Sequence, residues 1–349
     1  MPPSAHVLSG QIGLSGSSVW MLSGADLSIS RDGGKTWSPQ PVPADASSSS
    51  IAAVGIAPGR PIWLAVPEAS SVVLYTLHSD ASSWSSQRLV PTWPSAVPAG
   101  EPASNVTIAA GPGKLLTIGV TVQTPAPATF STLFTSNDDG DSFVEHPTKS
   151  GSIADDIWDH VAFISEQAGI LVAGQSSDQL IYTSDGGTTW ASSSVASLPV
   201  AGSYYLGAPV VEGADIVIPL TGLVSAEGPK QAHFSLLVSH DGGATLSAGA
   251  GPALSLDTYA APATDSLGRT TWVVPYSGGK VFETEDTGRT WTTISTADLP
   301  GGIAWLALTG PSSATALVSL GGCPGFVQGC WSKAYLVATS DGGHTWMAI

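Results

Sequence analysis

The octapeptide "TSDGGTTW" at residues 183–190 returns almost unchanged as "TSDGGHTW" at residues 339–346. Strings so alike and so far apart point to one structural unit used repeatedly. A search for Ser/Thr-x-Asp-x-Gly-x-Thr-Trp finds six recognisable copies. The other four are "SRDGGKTW" (30–37), "SNDDGDSF" (136–143), "SHDGGATL" (239–246) and "TEDTGRTW" (284–291). A degenerate seventh, "LHSDASSW" (77–84), keeps the aromatic and loses the glycine. The closing positions Trp37, Trp84, Phe143, Trp190, Leu246, Trp291 and Trp346 lie 45 to 59 residues apart. One sheet of four short strands with its loops has that length.

Each copy has a physical logic. Asp accepts hydrogen bonds from turn N–H groups that would otherwise go unpaired. Gly supplies positive φ, and the Thr hydroxyl ties back to the same turn. The aromatic opens the returning strand and buries a large apolar area. Apolar strands precede the copies, as in "QLIYT", "HFSLLVS", "KVFE" and "KAYLVA", so the motif is a hairpin turn. Earlier strands recur too: "SSVWMLS", "RPIWLAV" and "TTWVVPY" place Trp20, Trp63 and Trp272 ahead of the closing aromatic. Runs of small residues come before those, as in "IAAVGIAPG", "NVTIAAGPG" and "YAAPATDS". Four strands per unit, seven units and no helix predict an all-β, seven-bladed propeller of antiparallel blades. Residues 1–349 are expected to form this one domain.

Composition agrees. Gly (40) and Pro (26) are abundant and charged residues make up only 11 % of the chain, the texture of short strands and tight turns. Lys plus Arg number 11 against 27 Asp plus Glu, a net charge of -16 that repels phosphate backbones and anionic membranes. Nucleic acid is therefore not an expected partner. No apolar run spans a bilayer, and "MPPSAHVLSG" lacks the pattern of a signal peptide. The seven His residues show no metal-ligand spacing, so no metal and no cofactor is expected. Asp139 and Asp141 enrich one turn in acid, but no EF-hand loop surrounds them. Cys323 and Cys330, in "GGCPGFVQGC", lie among glycines in a loop. A short disulfide is preferred there over two free thiols, which favours an oxidising, extracellular or periplasmic location.

The octapeptides resemble the Asp-box, or BNR repeat, of sialidase-like propellers, and the resemblance runs from residue 30 to 346. It implies that the box joins the third and fourth strands of each blade, on the face opposite the ligand-binding face. Asp32, Asp138, Asp185, Asp241, Asp286 and Asp341 would then be scaffold. The opposite face would carry the between-blade loops (38–49, 85–103, 144–157, 191–203, 247–255 and 292–302) and the loops from second to third strands (122–129, 222–231 and 320–332).

On that face the richest cluster is "SIADDIWDHVAF", with Asp155, Asp156, Trp158, Asp159 and His160 at the start of the fourth blade. "SYYLGAP" adds Tyr204 and Tyr205, and "SLDTYAAP" adds Asp257 and Tyr259. Trp305, early in the first strand of the seventh blade, extends the aromatic set. Carboxylates beside aromatics suit sugars, with rings stacking on pyranose faces and acids holding hydroxyls. A pair of carboxyls about 5 to 9.5 Å apart would also serve glycoside hydrolysis.

Sialidases of this family grip their substrate's carboxylate with three arginines. Here Arg31 and Arg289 sit inside boxes, Arg60 and Arg269 in turns on the box face, and Arg88 on an outer strand. "GRPIW" also reverses the family's Arg-Ile-Pro order, so a sialidase is not expected. The reading is a secreted, monomeric, non-catalytic propeller binding a glycan or a protein. The alternative is a glycoside hydrolase or lyase using Asp159 and Asp257. An assembly-factor role is disfavoured because no cluster of Lys and Arg is present.

Overall fold

The structure, a computed structural model, describes residues 8–15, 17–23, 26–46, 51–79, 81–124, 129–147, 160–173, 179–195, 203–224, 231–249, 251–252, 263–320 and 332–349. It is a β-propeller of seven antiparallel blades, with no helix among the described residues. Blade 1 runs Leu8–Ser15, Ser18–Ser23, Asp26–Ser30 and Ser38–Pro41. Blade 2 runs Ala53–Ile56, Ile62–Glu68, Ser71–Leu77 and Ser85–Leu89. Blade 3 is Asn105–Ala110, Leu116–Gln123, Thr129–Ser136 and Val144–Pro147. Blade 4 is His160–Phe163, Gly169–Ala173, Gln179–Thr183 and Ala191–Ser192. In blade 5 the first strand is split into Ser203–Leu206 and Val210–Glu212, followed by Asp215–Val224, Gln231–Ser239 and Thr245–Gly249. Blade 6 comprises Ala263–Leu267, Thr270–Val274, Lys280–Thr284 and Thr292–Ser295. Blade 7 comprises Ile303–Gly310, Ser313–Ser319, Ser332–Thr339 and Met347–Ala348.

The between-blade loops are shorter than the sequence suggests. Residues 38–41, 85–89, 144–147, 191–192, 245–249 and 292–295 belong to fourth strands, so the ranges read as loops begin inside a blade. These outer strands are polar and exposed on one side, which makes them look like loop in a hydropathy reading.

Two compact units divide the chain. One unit comprises Met1–Pro41, Ala196–Val238 and Ser247–Ile349; the other comprises Val42–Val195 and Ser239–Leu246. Within the first, blade 7 has a composite outer edge. Met347–Ala348 pairs with Val337 and Ala338, and Leu8–Gly10 continues along the same strand at Ser332–Ala334. The final strand after Trp346 is thus two residues long, with the N-terminal strand beside it. Within the second unit, Ser194–Val195 leaves blade 4 and pairs in parallel with Thr245–Leu246, a crossing that no local pattern announced.

Within each unit, cores lie between consecutive blades. Trp272 and Val274 face blade 7, where they meet Leu306, Leu308, Ala316 and Val337. The intervening Val273 faces blade 5 with Val217, Phe234 and Leu236. Period-two alternation with both faces buried gives second strands their unbroken apolar texture. The small residues expected in first strands have a steric cause. Gly13 stands directly opposite Trp20, and a Cβ built on it would fall 2.4 Å from the indole nitrogen. Gly55 likewise stands opposite Trp63. In blade 6 the residue opposite Trp272 is Asp265.

Candidate functional site

The six Asp turns share one hydrogen-bond scheme. In "TSDGGTTW", Asp185 Oδ1 accepts the Thr189 N–H at 2.8 Å and the Thr183 hydroxyl at 2.9 Å, and Oδ2 accepts the Thr189 hydroxyl at 2.6 Å. The Thr183 hydroxyl oxygen in turn accepts the Gly187 N–H at 2.8 Å. Asp32, Asp138, Asp241, Asp286 and Asp341 repeat this pattern. Trp37, Trp291 and Trp346 each donate their indole N–H to the carbonyl of the turn glycine three residues ahead, Gly34, Gly288 and Gly343. Hydrogen bonds from Thr36 and Thr345 hold the Asp32 and Asp341 carboxyls down to about 2. These carboxylates are ionised and fully occupied by their own chain.

The turns mark one end of each blade. Gly33, Asp139, Gly186 and Gly342 donate their N–H to carbonyls of Ser17, Lys114, Gln167 and Ser312, in or beside the turns between first and second strands. The two remaining loop families therefore sit at the opposite blade ends. There blade 6 carries a rim laced by backbone hydrogen bonds. Gly278 N–H bonds Pro275 O, Gly279 N–H bonds Leu299 O, and Gly302 N–H bonds Tyr276 O at 2.7 Å. At Gly278, with φ +70, a Cβ would fall 2.1 Å from Pro300 O, so this lacing requires glycine. The rim carries the half-buried Tyr276, which the sequence reading passed over, and leads into the strand holding Trp305.

Of the residues singled out from sequence, His160 opens the first strand of blade 4 opposite Val172. Tyr204 and Tyr205 lie in the first strand of blade 5, opposite Gly222 and Thr221. Trp305 is half-buried against a cluster that includes Ile12, Leu14, Val19, Ala307 and Leu336, so much of its ring serves blade packing. Asp155, Asp156, Trp158, Asp159, Asp257, Tyr259, Cys323 and Cys330 lie outside the described residues. Arg60 is committed elsewhere. It pairs with Asp139 at 2.8 Å, donates to Gly111 O and Leu115 O, and stacks 5.1 Å from the Trp63 ring centroid. Asp139 is thus an ion-pair partner at φ +63, and Asp141 lies 3.5 Å from His78. Arg88 is on the fourth strand of blade 2, paired with Glu68.

Two acids unmarked in the sequence occupy blade seams. Glu212 in blade 5 is 4 % exposed and accepts hydrogen bonds from the Thr271 hydroxyl and the Thr287 N–H, both in blade 6. Asp265 in blade 6 accepts the Leu308 N–H of blade 7 at 2.6 Å. Burial pushes both carboxyls up, Asp265 to about 6. Asp265 keeps a partly open surface, yet the strands of two blades crowd it on most sides. The signal that could have found it was the repeat register, in which Asp265 stands where Gly13 and Gly55 stand. Among the described residues no group of three or more His, Cys, Asp or Glu could hold a metal ion. No described helix is long and apolar enough to cross a membrane.

No protein-family profile matches the chain, and no curated protein matches it in sequence. Solved structures match in fold. The WD40 repeats of RRP9 align with a TM-score of 0.55 at 10% identity, covering 95% of this chain and 96% of that one. U3-55K aligns at 0.52 and 10% identity, covering 95% and 98%. The α-L-arabinofuranosidase Arb93A of Fusarium graminearum aligns at 0.48 and 10% identity, covering 84% and 95%. Identities this low carry the propeller architecture and nothing finer, so the chemistry has to be argued from the residues themselves.

Proposed function

We propose that the protein is a non-catalytic binding propeller of the Asp-box type, acting outside the cytoplasm as an extracellular or periplasmic monomer. Its whole chain serves as one domain. Its ligand is a glycan or a protein, taken by loops at the blade ends opposite the Asp turns. The observation that supports this reading is the saturation of all six turn carboxylates by their own chain, which leaves those blade ends as scaffold. Recognition then falls to Tyr204, Tyr205, Asp257, Tyr259 and Trp305 in blades 5 to 7, and to Asp159 and His160 where blade 4 begins. A disulfide between Cys323 and Cys330 shapes the loop from second to third strand of blade 7.

A glycan array, run beside a hydrolysis screen on the same sugars, tests the reading. Binding without turnover is expected, and Asp159→Asn or Asp257→Asn should weaken it at unchanged melting temperature. Turnover by the parent that either substitution abolishes would replace the binder with a glycoside hydrolase, because those acids would then be moving protons. Intact mass with and without reductant checks the disulfide; a chain that does not gain two hydrogens on reduction has no such bond.

A further inference from the structure

Blade 6 is fastened to its neighbours differently from blade 2. Between blades 2 and 3 the partly buried acid has a cation: Arg60 meets Asp139 and also satisfies two carbonyls. At the seam of blades 5 and 6, Glu212 crosses alone. Its Oε1 accepts the Thr287 N–H at 3.1 Å, and its other oxygen meets the Thr271 hydroxyl, which continues to Ser266 at 2.7 Å. At the seam of blades 6 and 7, Asp265 crosses alone to Leu308. Among the described residues neither acid has an ion-pair partner.

Among the described residues the surroundings offer no compensating ion pair. Asp215 in the next strand and Asp286 in the blade 6 turn both disfavour a charge on Glu212. Arg269 sits beside Gly213, exposed and, among the described residues, outside any ion pair. Around Asp265, the strands Thr270–Val274 and Ile303–Gly310 bring no titratable side chain. Glu283 lies in the same cross-strand row, beyond Trp272, and is itself raised by burial. Tyr335 belongs to the apolar cluster between blades 6 and 7, and Val210–Glu212 packs against Ala263–Leu267 from the other side. Among the described residues, the titratable groups named here beside the two acids are acids or a neutral phenol, and the cations of the neighbourhood, Arg269 and Arg289 in the blade 6 turn, form no ion pair.

We propose that blade 6 is a pH-set latch: protonated Glu212 and Asp265 close its two seams, and their ionisation loosens the blade from blades 5 and 7. The protonated state fits the hydrogen bonds. A Glu212 hydroxyl can donate to Thr271, which then donates to Ser266, and the Asp265 carbonyl oxygen still accepts the Leu308 N–H. A buried charge without a cation, by contrast, disfavours the closed seam. Both carboxyls are raised, so the closed state is fully favoured below the ordinary carboxylate range and loses that advantage as pH climbs through the folded values. Rising from 3.8 to about 6 corresponds, for Asp265, to on the order of a hundredfold in the closed-to-open ratio.

Hydrogen–deuterium exchange on the full chain tests this, from pH 4.5 to 8 and corrected for intrinsic exchange. Over that range Asp265 alone should lower protection of residues 263–295 by roughly thirtyfold relative to residues 53–89, whose seam is held by the Arg60–Asp139 pair. The double variant Glu212→Gln, Asp265→Asn should lose that excess. A double variant that keeps the parent's pH dependence overturns the latch. If the variant does not fold, the parent decides alone: parallel loss of protection in blades 2 and 6 also overturns it.

Discussion

Asp185 and Asp265 are the same amino acid put to opposite electrostatic uses. Asp185 is exposed in its turn, and the Thr189 hydroxyl, the Thr189 N–H and the Thr183 hydroxyl together outweigh desolvation and lower its pKa. It therefore adds stability above the ordinary carboxylate range, and that stability is lost as pH falls through its folded value. Replacing it strands the Thr189 N–H and frees two hydroxyls to rotate. Because these bonds face water, Asp185→Ala should cost about 1 kcal/mol rather than the larger penalty of a buried orphan. Equilibrium denaturation should register that loss while ligand affinity stays unchanged in the folded fraction. Loss of binding at full stability would mean that the turn end, and not the opposite end, meets the ligand. Asp265 behaves in reverse: crowding by blades 6 and 7 raises it, so ionisation weakens the fold. Asp286 and its neighbour Thr287 show the turn under load, since Thr287, like Asp139 in blade 3, holds a positive φ (+57) where the other four copies place glycine, with its N–H bonded to Glu212.

At the scale of elements, the hairpin turns and the Trp-bearing second strands were legible because each rests on local chemistry. Asp, Gly and Thr at fixed offsets build a turn from their own atoms, and Trp63 or Trp272 in an apolar run marks a strand buried on both faces. The seams were not legible. Arg60 reads as a turn residue, and nothing near it in the chain announces Asp139, Gly111 or Leu115 as partners. Glu212 looks like a solvated acid at a hairpin, and polar outer strands such as Ser38–Pro41 look like loop. The candidate ligand site was legible only as residue types, because which loops converge is a property of how blades pack. The Arg60 seam gives a direct test. Arg60→Met removes the cation from a partly buried Asp139 and leaves two carbonyls without their donors. The expected loss is about 3 kcal/mol, and Arg60→Lys should recover little of it because one ammonium cannot reproduce the guanidinium's three-way geometry. Denaturant midpoints of the two variants decide the matter; a fully rescued lysine variant would reduce the seam to a single ion pair.

For the whole molecule, these residue-level signs add up to a stability profile with two flanks. On the acid side, the six turn carboxylates are all lowered, Asp32 and Asp341 to about 2, so protonating them removes stability as pH falls below the ordinary carboxylate range. On the other side, Glu212, Asp265 and Glu283 are raised, so their ionisation removes stability as pH climbs through the folded values, about 6 for Asp265. The net charge of -16 adds self-repulsion of the same sign. One group opposes the trend. His146 is buried against Thr135 and lowered by desolvation, so it resists protonation and costs stability as pH drops through the ordinary imidazole range. Its effect is a single shallow slope, whereas three acids act together on the alkaline flank. The melting temperature should therefore peak in mildly acidic solution and decline toward pH 8. In the Glu212→Gln, Asp265→Asn variant the alkaline decline should flatten, so that the variant exceeds the parent at pH 8 and falls to parity or below near pH 4. Thermal denaturation of both proteins across that range measures it; curves that run parallel at every pH would show that the seam carboxyls carry no pH dependence.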